Sequence, residues 1–401
     1  MTLVTTTPTA NTGEIVTTTG NKVKLPGIRP WDGTITAPEK ALGKIQKMVE
    51  AWKPVDIIKP LEQFLVAWAK PEEAATTDAG QVVAALRHLA GDQHSGITEH
   101  AVRQVCQIAG APYAYLRGLP TTLATACLQT SQKQALGEGC KVYTLRQITD
   151  TKTGQQVTRS VVSDKYADLD CYPLVQALCE VLDGTTAHVA AFRHDAEGMD
   201  MRIIIPGTQQ VVDRGDTVYT GIHLRNNEVG GGAVSIAGLV YELSCTNGLV
   251  APGKTTAGYT LRHVGNKDRL IQYVREALES AKGDAHRLVT AFNEALQVKL
   301  ESPALSIEAL SAEGMSRTQL DAILDAYLED THASLFGVTR AVTRAAQAFA
   351  PDTRFEMEQL GAQLVLSAPR HIITPPERQE GEAAGIYLRK GRNRSRNAGN
   401  N

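Results

Sequence analysis

Three aspartates, Asp164, Asp168 and Asp170, fall within seven residues of each other in SDKYADLD. Carboxylates this close in sequence form a candidate site for a hard cation, which takes several oxygen ligands from one loop. A calcium loop would add a central glycine and a closing glutamate, and neither is present. The competing role for these aspartates is to complement the N-terminal dipole of the helix that begins near Pro173. With His223 or Glu228 added, the same aspartates would make a divalent-metal nuclease or phosphotransfer centre, provided the fold brings them together. Further along, Gly230, Gly231 and Gly232 follow the polar run Arg225, Asn226, Asn227 and Glu228. Glycines let a backbone approach a ligand or another chain closely. A phosphate-binding loop would need GxxxxGK and then Ser or Thr, whereas the nearest lysine after the glycines is Lys254. A dinucleotide turn fails too, since no helix-forming stretch follows, and no cofactor is expected. The alternative is a glycine bulge between two strands that exposes Arg225 and Asn226 on an edge or groove.

A second set of residues suits a polyanion. Tyr113, Tyr115 and Arg117 stand together in GAPYAYLRGLP, where aromatic rings could stack bases while the guanidinium meets phosphate. The competing reading is core tyrosines at a helix-to-strand junction. Arg159, Arg225 and Arg262 are the candidate phosphate contacts of the central region. The segment from Tyr387 to Asn401 carries Arg389, Lys390, Arg392, Arg394 and Arg396 without an acid. Such a tail buries too little apolar surface to order itself, and it is either a phosphate binder or a solubilising extension. Cys106, Cys127, Cys140, Cys171, Cys179 and Cys245 contain no CxxC pair and are expected to be reduced thiols. Cys171 and Cys179 lack the spacing of a zinc knuckle, and no metal is expected.

The elements that would position these residues read as an α+β protein. The 401 residues are 42% hydrophobic and 21% charged with a net charge of -2, which excludes a wholly disordered chain. No run of about 18 apolar residues is present to span a bilayer. The N-terminus lacks the basic start and apolar block of a secretory signal, so a cytoplasmic protein without membrane contact is expected. The composition predicts a Thr-rich arm without regular structure over 1–35 and an N-terminal helical region over 36–118. The latter holds two short helices broken by Pro54 and Pro60, a third through Ala79 to Leu89, and a fourth capped by Thr98 with the stripe Val102, Val105 and Ile108. Over 119–265 the spacing predicts a mainly antiparallel sheet with a crossing helix from Tyr172 to Leu182. Its first hairpin turns at Asp150, Lys152 and Gly154, and a second turns at Glu197 and Gly198. Apolar residues at helical spacing, such as Leu270, Val274 and Leu278, predict a helical region over 266–375, with a strand-like LVLSA after Pro351. A flexible basic tail over 376–401 completes the chain.

The element RSVVSDKYADLD and the later HLRNNEVGGGAVSIAGLVYELSCTNGLV together resemble a phage/plasmid-like family of unknown function, whose members carry an SdrY element and an NSEVG…CTNG element. Ser163, Asp164 and Tyr166 match the first, and Asn227, Glu228, Val229, Gly230, Cys245, Thr246, Asn247 and Gly248 match the second. Here Glu228 follows Asn227 directly, where the family often has Ser in between. The resemblance covers about residues 105 to 300. It implies a phage or mobile-element origin and brings no catalytic residue with it. The expected layout is also similar to that of phage single-strand annealing proteins. The resulting expectation is a nucleic-acid-binding recombination accessory that holds single-stranded DNA, assembles as a homo-oligomer and has no catalytic activity. The alternatives are the metal-dependent enzyme above and a protein-binding host-takeover factor that docks a partner through its helical C-terminal half.

Overall fold

A computed structural model of the chain describes residues 7–8, 14–16, 22–24, 38–51, 54–60, 64–68, 75–77, 80–88, 94–135, 142–150, 153–185, 187–195, 197–211, 217–242, 247–250, 258–329 and 331–371. β1 (Thr7–Pro8), β2 (Glu14–Val16) and β3 (Lys22–Lys24) pair as a small antiparallel meander, inside the arm expected to lack regular structure. α1 (Pro38–Ala51) follows and buries Ile45 and Val49, as its spacing predicts.

The next stretch departs from the reading of 36–118 as helical. β4 (Val55–Pro60), β5 (Phe64–Trp68), β6 (Ala75–Thr77), β7 (Gly80–His88) and β8 (His94–Thr98) are strands. Phe64 and Val66 are buried on β5, and Ala84 and Leu86 on β7, a period of two. Short apolar runs carry no periodicity that separates a buried strand from a helix, and here neighbouring strands satisfy the backbone. α2 (Glu99–Ile108) begins where expected, with the Thr98 hydroxyl accepting the Ala101 N–H at 3.3 Å. α3 (Tyr113–Arg117) and α4 (Thr121–Ala135) precede β9 (Val142–Thr149) and β10 (Gln156–Ser163), the expected first hairpin. Then come α5 (Cys171–Val181), β11 (His188–His194), β12 (Gly198–Val211), β13 (Thr217–Asn227), β14 (Val234–Glu242), β15 (Asn247–Val250) and β16 (Gly258–Leu261). The helical region follows as α6 (Lys267–Gln297), α7 (Pro303–Ala309), α8 (Arg317–Glu329), α9 (Leu335–Ala346) and α10 (Pro351–His371). LVLSA, expected as a strand, continues α10 with Leu364 and Val365 buried on it.

The fold is α+β with two larger, mostly antiparallel sheets in place of a single central one. The chain divides into two units. The first comprises residues 1–207, 222–237 and 258–282. It holds a sheet in the order β4-β9-β10-β8-β7-β5, with β6 beside β7 and only the β10–β8 pair parallel. Val102, Val105 and Leu128 are among the residues of α2 and α4 that cover this sheet. A second core lies under α1, α5 and the start of α6, against Met201, Ile203, Ile222 and Leu224 of β12 and β13. The second unit comprises residues 208–221, 238–257 and 283–401. There β14 pairs with β15, and Phe292 packs on Phe336 at 4.6 Å between ring centroids. No helix among the described residues is long and apolar enough to cross a membrane.

Candidate functional site

The first unit contains a buried charged cluster built on strand register. Arg146 on β9 stands directly opposite Asp56 on β4. Its Nε donates to Asp56 Oδ1 at 3.2 Å, one terminal nitrogen donates to the Glu228 main-chain carbonyl at 2.8 Å, and the other donates to the Asp170 carboxylate. Arg159 on β10 donates to one carboxylate oxygen of Glu228, and the other oxygen accepts the Cys171 N–H at the start of α5. Arg146 is 0% exposed, Arg159 1% and Glu228 3%. Charges this deep are tolerated only when paired and hydrogen-bonded, because each loses several kcal/mol of hydration. Burial alone would raise the Glu228 carboxyl; Arg159, the Cys171 N–H and Arg146 outweigh it and hold the group down at about 2. Asp170 goes the other way. Burial, incompletely offset by Arg146 and reinforced by the negative charge of Glu228, pushes it up to about 6.

The loop after Glu228 is held by its backbone. Asn227 Oδ1 accepts the N–H groups of Val229 at 3.2 Å and Gly231 at 2.8 Å. The Val229 carbonyl accepts from Gln104 Nε2 at 2.7 Å, the Ser160 hydroxyl at 2.8 Å and the His100 ring at 3.1 Å. Gly230 sits at φ +80°, and a Cβ there would stand 2.9 Å from Val162 Cγ1. Left-handed backbone and close packing together require glycine.

This loop forms one wall of an open groove of about 580 Å³. Gln104 and Gln107 of α2 line it, with Val162 and Ser163 at the end of β10, and the exposed Arg262 just beyond β16. Tyr166 and His263 also line it and stack on each other, 4.8 Å apart and 5° from parallel. Main-chain bonds join the two segments, with the Ala167 N–H on the His263 carbonyl at 2.9 Å. His263 Nδ1 meets the Ala167 carbonyl at 3.2 Å. Burial lowers the His263 pKa, so the ring is neutral near pH 7. Both sequence elements, around Ser163 to Tyr166 and around Asn227 to Gly232, thus meet in one place.

The candidate residues fare differently. Arg262 is exposed on this groove. Arg159 is sealed against Glu228, which removes it from any surface where a phosphate could meet it and corrects its assignment as a contact. Arg225 is 23% exposed and lies 3.9 Å from Asp200, whose carboxylate also meets His223 at 2.9 Å. Tyr113 donates its hydroxyl to Glu99 at 2.8 Å, under the Arg103 guanidinium at 4.6 Å, and packs beside Trp68. It serves as packing, not as a free stacking platform. Tyr115 is 63% exposed, and the exposed Arg117 lies 3.6 Å from Glu99. The basic tail, Arg389 to Arg396, lies outside the described residues, as do Cys140 and Cys245.

The aspartate triad diverges. Asp164 is exposed, Asp168 pairs with Lys267 at 2.6 Å, and Asp170 turns to Arg146. Among the described residues no three His, Cys, Asp or Glu side chains gather as a metal site. Asp170 occupies the N-cap of α5 without a side-chain capping bond, and Glu228 caps the helix instead. Sequence reasoning missed Arg146 and Asp56 altogether. The available signal was a charged residue inside each otherwise largely apolar run, Asp56 in VDII and Arg146 in YTLRQI. Cys106, Cys127, Cys171 and Cys179 are free thiols. Burial raises the pKa of Cys106 to about 11 and that of Cys171 as well, which makes both poor nucleophiles. Compared with family models, curated proteins and solved structures, the chain matches none.

Proposed function

We propose that this chain is a phage- or plasmid-encoded nucleic-acid-binding protein that holds a single strand in the groove of its first unit and performs no chemistry on it. The observation that carries the reading is an exposed Arg262 on an open groove whose lining includes Tyr143, the Tyr166–His263 stack and the glycine backbone at 230–232. An exposed cation for phosphate beside glycine backbone that a strand can approach closely suits sequence-tolerant binding, while the Tyr166 ring, already met by His263 and by Arg146 at 5.5 Å, shapes the groove wall. The exposed Tyr115 and Arg117 and the basic tail add contacts of the same kind, and a homo-oligomer would extend the path along a strand. The metal-dependent alternative loses support because Asp168, Asp170, Glu228 and Asp200 each already lie against a cationic side chain, Lys267, Arg146, Arg159 and Arg225 in turn. A mobile-element origin is part of the proposal and rests on Ser163, Asp164, Tyr166 and Asn227 to Gly230.

Fluorescence anisotropy with a labelled oligo(dT) strand across a salt series tests this. Affinity is expected to fall with salt, to survive chelator, and to weaken in Arg262→Glu with the log–log salt slope reduced by about 0.7, one single-strand phosphate contact. A version ending at Pro376 separates the share of the tail from that of the groove. Absence of binding at low salt by the full chain overturns the proposal and leaves the protein-docking alternative.

A further inference from the structure

The first unit has another cavity, of about 340 Å³, bordered by Asp170 and Glu228, by Tyr172 and Gln176 of α5, by Val49 of α1 and by Lys267 of α6. Its size falls at the lower end of small-molecule sites, roughly 300–1,000 Å³. Among the described residues the adjoining charged cluster is unbalanced. Arg146 and Arg159 face three carboxylates, Asp56, Asp170 and Glu228. Lys267 does not correct the count, because it is committed to Asp168 at 2.6 Å. Glu228 has both oxygens engaged and is 3% exposed, so it offers a ligand little. Asp170 is different: Arg146 takes Oδ1, and its side chain stays 20% exposed. The surplus negative charge therefore reaches the cavity through Asp170, whose carboxyl is pushed up to about 6 by burial and by the neighbouring charge of Glu228. Beside it stand Val49 and the Tyr172 ring, which suit an apolar body.

We propose that this cavity binds a small organic cation, a protonated primary amine on an apolar or aromatic body, with the ammonium against the Asp170 carboxylate. The sign of the site is wrong for phosphate, so it is separate from the strand groove and does not depend on that reading. A metal ion is a poorer occupant, since of the two described carboxylates that border the cavity Glu228 has both oxygens engaged and only Asp170 has one to offer, whereas a hard ion needs several.

Benzylammonium is the probe, with benzoate as the charge-reversed control, titrated calorimetrically into the full chain. Benzylammonium is expected to bind and to raise the melting temperature, and benzoate to do neither. Asp170→Asn, which retains an oxygen for Arg146, is expected to weaken benzylammonium binding at least about tenfold, the scale of one charge-assisted hydrogen bond. Gln176→Trp, which fills the cavity and leaves every charged side chain of the cluster in the sequence, is expected to abolish binding while the ligand-free protein keeps its far-UV spectrum; it carries the test should the Asp170 variant not fold. Equal binding of the two probes, full affinity in a folded Asp170→Asn, or no binding of benzylammonium by the full chain overturns the proposal.

Discussion

Glu228→Ala is expected to cost the first unit about 3–5 kcal/mol, the penalty for removing one partner of a buried ion pair and leaving the other charge uncompensated. The charge left behind is the Arg159 guanidinium at 1% exposure, and the same change strips α5 of the acceptor for its first N–H. Glu228→Gln retains an acceptor and is expected to lose less. Trp68 on β5 lies in the first unit, so urea unfolding followed by tryptophan fluorescence reads the effect. The pH dependence has a definite sign. The Glu228 carboxyl titrates at about 2 in the fold against an ordinary 4.5, so its stabilisation is present above 4.5 and is lost as pH falls toward 2. Asp170 acts oppositely. Raised from 3.8 to about 6, it favours the fold in its protonated form, and that contribution disappears as pH climbs through 6. Glu228→Gln should therefore flatten the acid limb of the stability profile between about 4.5 and 2.

Gly198→Ala is expected to be the most damaging glycine-to-alanine change among the described glycines of the first unit. Its Cβ would stand 2.1 Å from the Asn226 carbonyl oxygen and 2.9 Å from Asn227 Cα, both main-chain atoms. The Asn226 side chain is itself anchored, with Nδ2 donating to the Leu169 carbonyl at 2.8 Å, so the strand has little freedom to retreat. Overpacking of this kind costs about 3 kcal/mol or more when backbone must move, and loss of soluble protein or a sharply lowered urea midpoint is the expected readout. The matched control is Gly43→Ala inside α1, where a Cβ meets nothing within 4 Å. It is expected to gain about 0.5–1 kcal/mol from helix propensity. An equal loss at both positions would remove the steric explanation.

How much of this could be read from the residues depends on whether the deciding contact is local. The β9–β10 hairpin was legible because two alternating runs flank a turn in which Gly154 takes φ +68°. α2 was legible because its cap, Thr98, lies in the adjoining residue. β5 and β7 were not, since FLVAW and QVVAALRH become strands through pairing with each other, an event no local periodicity announces. The charged cluster shows the same limit more sharply. Arg159 and Glu228 both stood out as residue types, one for phosphate and one for metal, yet they are 69 positions apart and neutralise each other. What made them look functional was charge, and what decides their role is a partner that only the tertiary fold supplies. The groove lay between these extremes: its two segments were singled out separately, and their meeting was not foreseen.

The dependence of α5 on Glu228 has a consequence for synthesis on the ribosome. A nascent chain that has emerged only as far as the β9–β10 hairpin and α5 carries Arg146 and Arg159 already placed on strands, but lacks the acid that caps the helix 57 residues later. Until that residue leaves the exit tunnel the hairpin holds an unneutralised guanidinium, and docking against α5 is disfavoured. The first unit also waits for residues 258–282. Its closure is therefore a late event in translation, and the partly made protein is the form most exposed to holdase chaperones and proteases.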